Sequence, residues 1–141
     1  MLAAERATEE DRDMLKSIIR ELEEAHAQGK SEASRDADVR FHAAIVDASH
    51  NSLMVHTMSA IYQLMARNVF YNREFLRTMD GTGAELLKQH KEIAQAIIDG
   101  DPDRAEAAAR RHMDFVEESF RTGQEQQARE IRAAKRRQLT K

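Results

Sequence analysis

The segment Asp38-Val-Arg-Phe-His42 places a carboxylate and an imidazole four residues apart. In an α-helix this spacing stacks the two side chains on one face, one turn apart. Two further histidines, His90 and His112, recur among apolar residues at helical spacing later in the chain. We therefore predict a helical bundle in which these four side chains meet around one divalent metal.

The composition favours a single all-α domain. The chain has 141 residues, with only one Pro and five Gly, so few residues would interrupt a helix. A chain of this length can bury a core without disulfides or a structural metal, so a metal here would serve function rather than folding. The sequence contains no Cys, which excludes disulfides and thiolate zinc sites and fits a cytoplasmic location.

Charge and hydropathy argue against two other classes of protein. No apolar run approaches the roughly 20 residues that a helix needs to cross a bilayer, so we expect no membrane partner. The formal net charge is -3, which argues against nucleic-acid binding by the chain as a whole.

Periodicity and capping signals divide the chain into five predicted helices. The first opens with a capping box from Thr8 to Asp11 and ends at Gly29. Ser31 or Ser34 is predicted to cap the second. The predicted inward residues of the first helix are Met14, Leu15, Ile18, Ile19 and Leu22. Those of the second are Phe41, Ile45 and Ala48.

The third predicted helix is long, from about Leu53 to about Met79. Its inward stripe is Met54, Met58, Ile61 and Met65. At the same spacing the stripe reaches Asn68 and Asn72, whose amides either bond to neighbouring helices or line a cavity for a polar ligand. Arg67 lies nearby in sequence and could face an anion, although a solvated surface is the alternative for it.

Two more helices carry the later histidines. One is predicted to open with a capping box at Thr82 and to stop at Gly100. Asp101 then supplies an N-cap, with Pro102 at the first helical position. The predicted inward residues are Leu86, Leu87, His90, Ile93, Ala94 and Ile97, and then Ala105, Ala108, Ala109, His112, Phe115, Val116 and Phe120. We expect residues 126–141, a polar and basic tail, to form a frayed and solvated end.

The six histidines fall into two groups. His26, His50 and His56 lie near helix ends or on polar faces, and we expect them at the surface. The other three lie on apolar faces, where unpaired imidazoles would be costly and a shared cation would satisfy them. Three imidazoles and one carboxylate suit Zn²⁺, and also Ni²⁺, Mn²⁺, Fe²⁺ or Co²⁺. A five- or six-coordinate ion would keep open positions for a carboxylate or a hydroxy acid.

Two blocks of the sequence together resemble a known family. They are Asp38-x2-Phe-His42-x2-Ile45-x2-Ala-Ser49-His-Asn51-x-Leu53 and His90-x2-Ile93-x2-Ala96-Ile97-x2-Gly100-Asp101-x3-Ala105-x6-His112. In this order they resemble the C-terminal effector domain of GntR-type transcriptional regulators of the FadR-like branch, over about residues 8–125.

This resemblance implies an antiparallel all-helical bundle over residues 1–125 that senses an effector through a central metal. Asp38, His42, His90 and His112 match the family's metal positions. The resemblance also implies a small carboxylate effector of the lactate, pyruvate or glycolate class, a homodimer, and operator DNA contacts made only by an N-terminal winged helix-turn-helix. Nothing in this chain resembles that segment, so we expect it to be absent here and the first effector-domain helix to be incomplete.

Two alternatives remain at this point. A site of three His and one Asp with an open position can activate water, so a metal-dependent hydrolase is the first. A structural helical domain, with its histidines satisfied by hydrogen bonds, is the second.

Overall fold

The computed structural model describes residues 2–57 and 82–140, and all the regular structure in those two ranges is helical. Helix α1 spans Leu2–Arg6, α2 Glu9–Ala27 and α3 Ser31–Ala48. Residues 52–57 are helical and are labelled α4. Helix α5 spans Thr82–Ile98 and α6 spans Pro102–Leu139. The all-α prediction is confirmed. Along the described chain, no helix is long and apolar enough to cross a membrane.

Short turns fold the described helices into two hairpins that pack on each other. Helix α2 packs on α3, α5 packs on α6, and α2 also contacts α5, while α1 touches α3, α5 and α6. Gly29 and Gly100 end α2 and α5 with φ values of 66° and 68°. Such left-handed backbone at a helix C-terminus favours Gly, because it has no Cβ. Both predicted stops are confirmed.

Apolar faces at helical spacing build the core between the hairpins. The predicted inner face of α5 is buried or half-buried throughout, as are the described inward side chains of α6. Leu15, Phe41 and Ile97 are fully enclosed. Met14 departs from the prediction, since 56% of it is exposed. It lies next to Leu15 in sequence, at the edge of the apolar stripe, where α2 has no neighbouring helix among the described residues to cover it.

The capping predictions are confirmed for α2 and α6 and wrong for α3. Thr8 and Asp11 form the capping box, and the Asp101 side chain accepts a hydrogen bond from the Arg104 backbone N–H. Helix α3 instead has Lys30 at its N-cap, without a side-chain hydrogen bond. The helix already begins at Ser31, so neither predicted serine occupies the cap position, and Ser34 is buried within the first turns.

Two further predictions fall at the ends of the described ranges. Residues 126–141 were expected to be frayed and solvated. The prediction of fraying is wrong, because α6 continues without a break to Leu139, whereas the prediction of solvation is confirmed. Of the long third helix, only 52–57 is described, and there Asn51 caps it by accepting from the Met54 backbone N–H. Met54 itself is 39% exposed, not inward. The remaining predicted stripe and its continuation lie outside the described residues.

Asp11 joins the start of α2 to the turn after α3. Its carboxylate accepts a hydrogen bond from the Thr8 backbone N–H at 2.9 Å and lies 2.7 Å from Nε2 of His50. Burial raises the pKa of Asp11, but the hydrogen bonds from Thr8 and His50 together outweigh burial, and the pKa lies below its ordinary value of 3.8. The folded state therefore favours the ionised carboxylate.

We expect Asp11→Asn to remove part of the acid sensitivity of the fold. A carboxylate whose pKa is lowered by folding contributes stability that is complete above its unfolded pKa, about 3.9, and is lost as the pH falls through the folded-state value. The wild-type free energy of unfolding should exceed that of the variant at neutral pH, and the difference should shrink below about pH 4. Urea unfolding at a series of pH values measures this. Asp13→Asn, at an exposed site on the same helix, is the control, and a pH-independent difference for Asp11→Asn would contradict the prediction.

Candidate metal centre

Three helices bring the four predicted ligands to one place. Helix α3 supplies Asp38 and His42 one turn apart, α5 supplies His90 and α6 supplies His112. Asp38, His90 and His112 are 6%, 2% and 4% exposed, whereas the His42 side chain is 29% exposed. The cluster is therefore buried on three sides and reaches solvent beside His42.

His90 lies at the middle of this cluster. Its Nε2 atom is 3.3 Å from Nε2 of His112 and 3.3 Å from Oδ1 of Asp38. Oδ1 of Asp38 is also 3.7 Å from Nε2 of His42. One nitrogen from each of the three histidines lies within 4.8 Å of the others. The three histidine nitrogens thus lie close together, and the Asp38 carboxylate lies beside those of His90 and His42.

The spacing of the donor atoms fits a single metal ion. Two nitrogens at about 2.0–2.1 Å from a zinc ion, at tetrahedral angles, lie roughly 3.3 Å apart. The two 3.3 Å separations around His90 match this value, and the Asp38–His42 separation is wider, at 3.7 Å. The donor set holds three imidazoles, one carboxylate and no sulfur, which suits zinc and other first-row divalent ions.

Aromatic packing fixes the rings of the cluster. Phe41, fully buried on α3, lies with its ring centroid 4.9 Å from that of His90 and 5.5 Å from that of His42. The rings of His42 and His112 stack at 5.9 Å with an angle of 20° between their planes. Phe41 therefore forms an apolar wall of the cluster on the core side and limits the rotation of two imidazoles.

The sequence analysis missed one polar residue that contacts the cluster. Gln89 on α5 is 7% exposed, and its Oε1 lies 2.8 Å from Nδ1 of His112. Its Nε2 donates to Oε1 of Glu85 at 3.2 Å, one turn earlier on the same helix. Spacing could have revealed it, because Gln89 lies three residues after Leu86 and four before Ile93, both in the predicted inner face.

The other candidate residues lie elsewhere. His26, His50 and His56 are exposed, as predicted. Arg67, Asn68 and Asn72, predicted as effector contacts, lie outside the described residues.

Three helices thus gather three His and one Asp into one cluster. Residues 1–115 match the family described as the FCD domain. The chain belongs to this family, the C-terminal domain of GntR/FadR-type regulators. This confirms the family resemblance seen in the sequence. FCD domains are regulatory rather than catalytic, which agrees with the assignment of the chain to regulation and disfavours the hydrolase alternative.

Curated relatives of the chain are transcriptional regulators by name. The Escherichia coli protein "Putative L-lactate dehydrogenase operon regulatory protein" is 32% identical over 92% of this chain and 49% of its own length. The regulator LutR of Bacillus subtilis is 32% identical over 83% of this chain and 53% of its own length. The galactonate operon transcriptional repressor of E. coli is 37% identical over 76% of this chain and 44% of its own length. The chain thus spans about half the length of these relatives.

Proposed function

We propose that this chain is the sensing domain of a bacterial transcriptional regulator and binds a small carboxylate in a metal-dependent manner. The observation that carries the proposal is the clustering of three imidazoles with one carboxylate beside them, in a place that is largely buried and open beside His42. A purely structural core would not need four such groups at this spacing. The two 3.3 Å separations around His90 support this proposal, because they match the spacing of two ligands on one tetrahedral zinc ion.

Asp38, His42, His90 and His112 would hold the ion. Zn²⁺ suits this donor set, and Ni²⁺, Mn²⁺ or Fe²⁺ would also be accepted. When bound, the ion supplies a fixed positive charge that attracts the oxygens of an acid. The chain's own contribution is to hold the four donors with buried, packed side chains and to leave the His42 side accessible.

The proposed effector is a small 2-hydroxy acid of the lactate class, with glycolate and the 2-oxo acid pyruvate as near relatives. Two observations support it. The names of two relatives refer to lactate and galactonate operons, and both compounds are 2-hydroxy carboxylates. Adjacent carboxylate and hydroxyl oxygens also suit a divalent cation with N and O ligands. Arg67, Asn68 and Asn72 remain proposed effector contacts.

In the intact regulator, effector binding would change operator affinity through a segment beyond this chain. The relatives are about twice as long as the part that matches, which leaves room for the DNA-binding segment that the family resemblance implies. An effector that binds two arrangements of a dimer with different affinities shifts the population between them. A homodimer in the cytoplasm is the proposed assembly.

Calorimetric titration of the metal-loaded chain tests the proposal. We expect one of lactate, glycolate, pyruvate or galactonate to bind with a measurable heat, and the heat to vanish after chelation of the metal. Propionate has the carboxylate and carbon chain of lactate but no hydroxyl, so it should bind at least about tenfold more weakly, a difference of about 1.4 kcal/mol. Equal binding before and after chelation would refute the metal-dependent mechanism. No binding of any acid to the loaded chain would refute the effector class.

A further inference from the structure

We propose that Gln89, oriented by Glu85, is a positioning residue that fixes His112 in the tautomer needed to bind a metal through Nε2. The effect on metal affinity rests on the proposed metal-dependent function. The position of the proton on the His112 ring does not, because the hydrogen bonds of the chain determine it without any ion. The inference assigns a role to two α5 residues outside the set of four candidate ligands.

The orientation of the Gln89 side chain follows from its partner on the same helix. An ionised carboxylate can only accept hydrogen bonds, whereas an amide carries a donating NH₂ and an accepting oxygen. Because Gln89 meets Glu85 at 3.2 Å, its NH₂ group must face that carboxylate. Its oxygen is thereby directed to the other side, where it meets the His112 ring.

The protonation of His112 then follows from the orientation of Gln89. An amide oxygen only accepts, so the His112 nitrogen 2.8 Å away, Nδ1, must carry the proton and donate it. In a neutral imidazole the other nitrogen, Nε2, then holds the lone pair. That nitrogen lies 3.3 Å from Nε2 of His90, on the cluster side. The hydrogen-bond chain from Glu85 to Gln89 to His112 thus presents a lone pair to the candidate ion.

Burial makes this arrangement strong. Gln89 and His112 are 7% and 4% exposed, so water has little access to compete for either end of their bond. A buried polar group that loses its partner leaves the full desolvation cost unmet. The same hydrogen bond links α6 to α5. Helix α5 therefore supplies one candidate metal ligand, His90, and also the residue that orients His112, the candidate ligand on α6. Partners of this kind change metal affinity by about 10–100-fold when removed.

Nitrogen-15 NMR of the metal-free chain tests the first step. At mildly alkaline pH, where imidazoles are neutral, we expect His112 to show the Nδ1–H tautomer in the wild type. In Gln89→Leu, a mixture of the two tautomers is expected. Gln95→Leu changes an exposed glutamine of the same helix and should leave the tautomer of His112 as in the wild type. A wild-type His112 protonated on Nε2 would overturn the proposal.

Competition with a chromophoric zinc chelator tests the second step. We expect Gln89→Leu to weaken zinc binding by about 10–100-fold, and Gln89→Glu, which keeps an accepting oxygen, to remain much closer to the wild type. Equal losses in both variants would assign the residue to packing and overturn the proposal, as would an affinity of Gln89→Leu within twofold of the wild type. If the wild type binds no zinc, the proposed function fails, and the tautomer measurement still decides the inference.

Discussion

Replacing His90 with Ala is expected to abolish tight binding of a divalent metal, with the zinc affinity falling by more than a hundredfold. The Nε2 atom of His90 lies 3.3 Å from each of two other predicted donors, Nε2 of His112 and Oδ1 of Asp38. Its removal takes away the ligand that lies nearest to both of these donors. Removing a residue that only supports a ligand lowers metal affinity by about 10–100-fold. Removing the central ligand itself should therefore lower the affinity further.

Zinc competition with a chromophoric chelator measures the effect, and calorimetry with the acid identified for the wild type measures its consequence. We expect acid binding to disappear together with the metal. His26→Ala, at an exposed site of α2, is the matched control and should bind zinc as the wild type does. Circular dichroism of the metal-free variant shows whether the bundle is intact. Wild-type zinc affinity in a folded His90→Ala protein would exclude this cluster as the metal centre.

Much of this site could be predicted from the sequence because helical periodicity fixes which side chains share a face. On α5 the spacing of Leu86, His90, Ile93 and Ile97 allows only one inward direction, and the structure buries all four. On α3 the four-residue separation of Asp38 and His42 places both on one side, whatever the neighbouring helices are. His90 and His112 could therefore be assigned to the core, and His42 to the same side of α3 as Asp38, before any tertiary contact was known.

Features that depend on neighbouring helices were harder to predict. Met14 and Leu15 are adjacent and equally apolar, yet the first is 56% exposed and the second fully buried. Periodicity places both near the same stripe, and only the position of α3 and α5 against α2 decides between them. Gln89 was missed because a polar residue beside an apolar stripe usually faces solvent. Its burial depends on His112, 23 residues away.

The continuation of α6 past Gly123 shows a different limit. The segment was expected to fray because it is polar and, from Arg132 onward, basic. Its composition nevertheless favours a helix, since Glu, Gln, Ala and Arg have high helix propensity and no Pro follows Gly123. Exposed pairs one turn apart, such as Gln126 with Glu130, add small local support. Polarity predicted the exposure of this segment correctly but not its backbone conformation.

Phe41→Ala is expected to lower the free energy of unfolding by about 3–5 kcal/mol, the range for deleting a fully buried aromatic ring. Phe41 is 0% exposed and belongs to the continuous core that joins both hairpins. Natural domains are stable by only about 5–15 kcal/mol, so the variant could lose a large part of its stability. Met14→Ala is the matched control, since that side chain is mostly exposed and should cost about 0.5 kcal/mol or less.

The same substitution should loosen the candidate metal centre, because the Phe41 ring lies 4.9 Å from His90 and 5.5 Å from His42. The cavity left behind would free both imidazoles to rotate, so zinc affinity should fall even under conditions where the variant remains folded. Urea unfolding and zinc competition on the same samples separate the two effects. Phe41→Leu fills most of the cavity, so it should recover most of the free energy of unfolding. It should recover less of the zinc affinity, because a leucine side chain is not flat and cannot restrain the planes of the imidazole rings. Full recovery of both by Leu would indicate that only volume matters at this position.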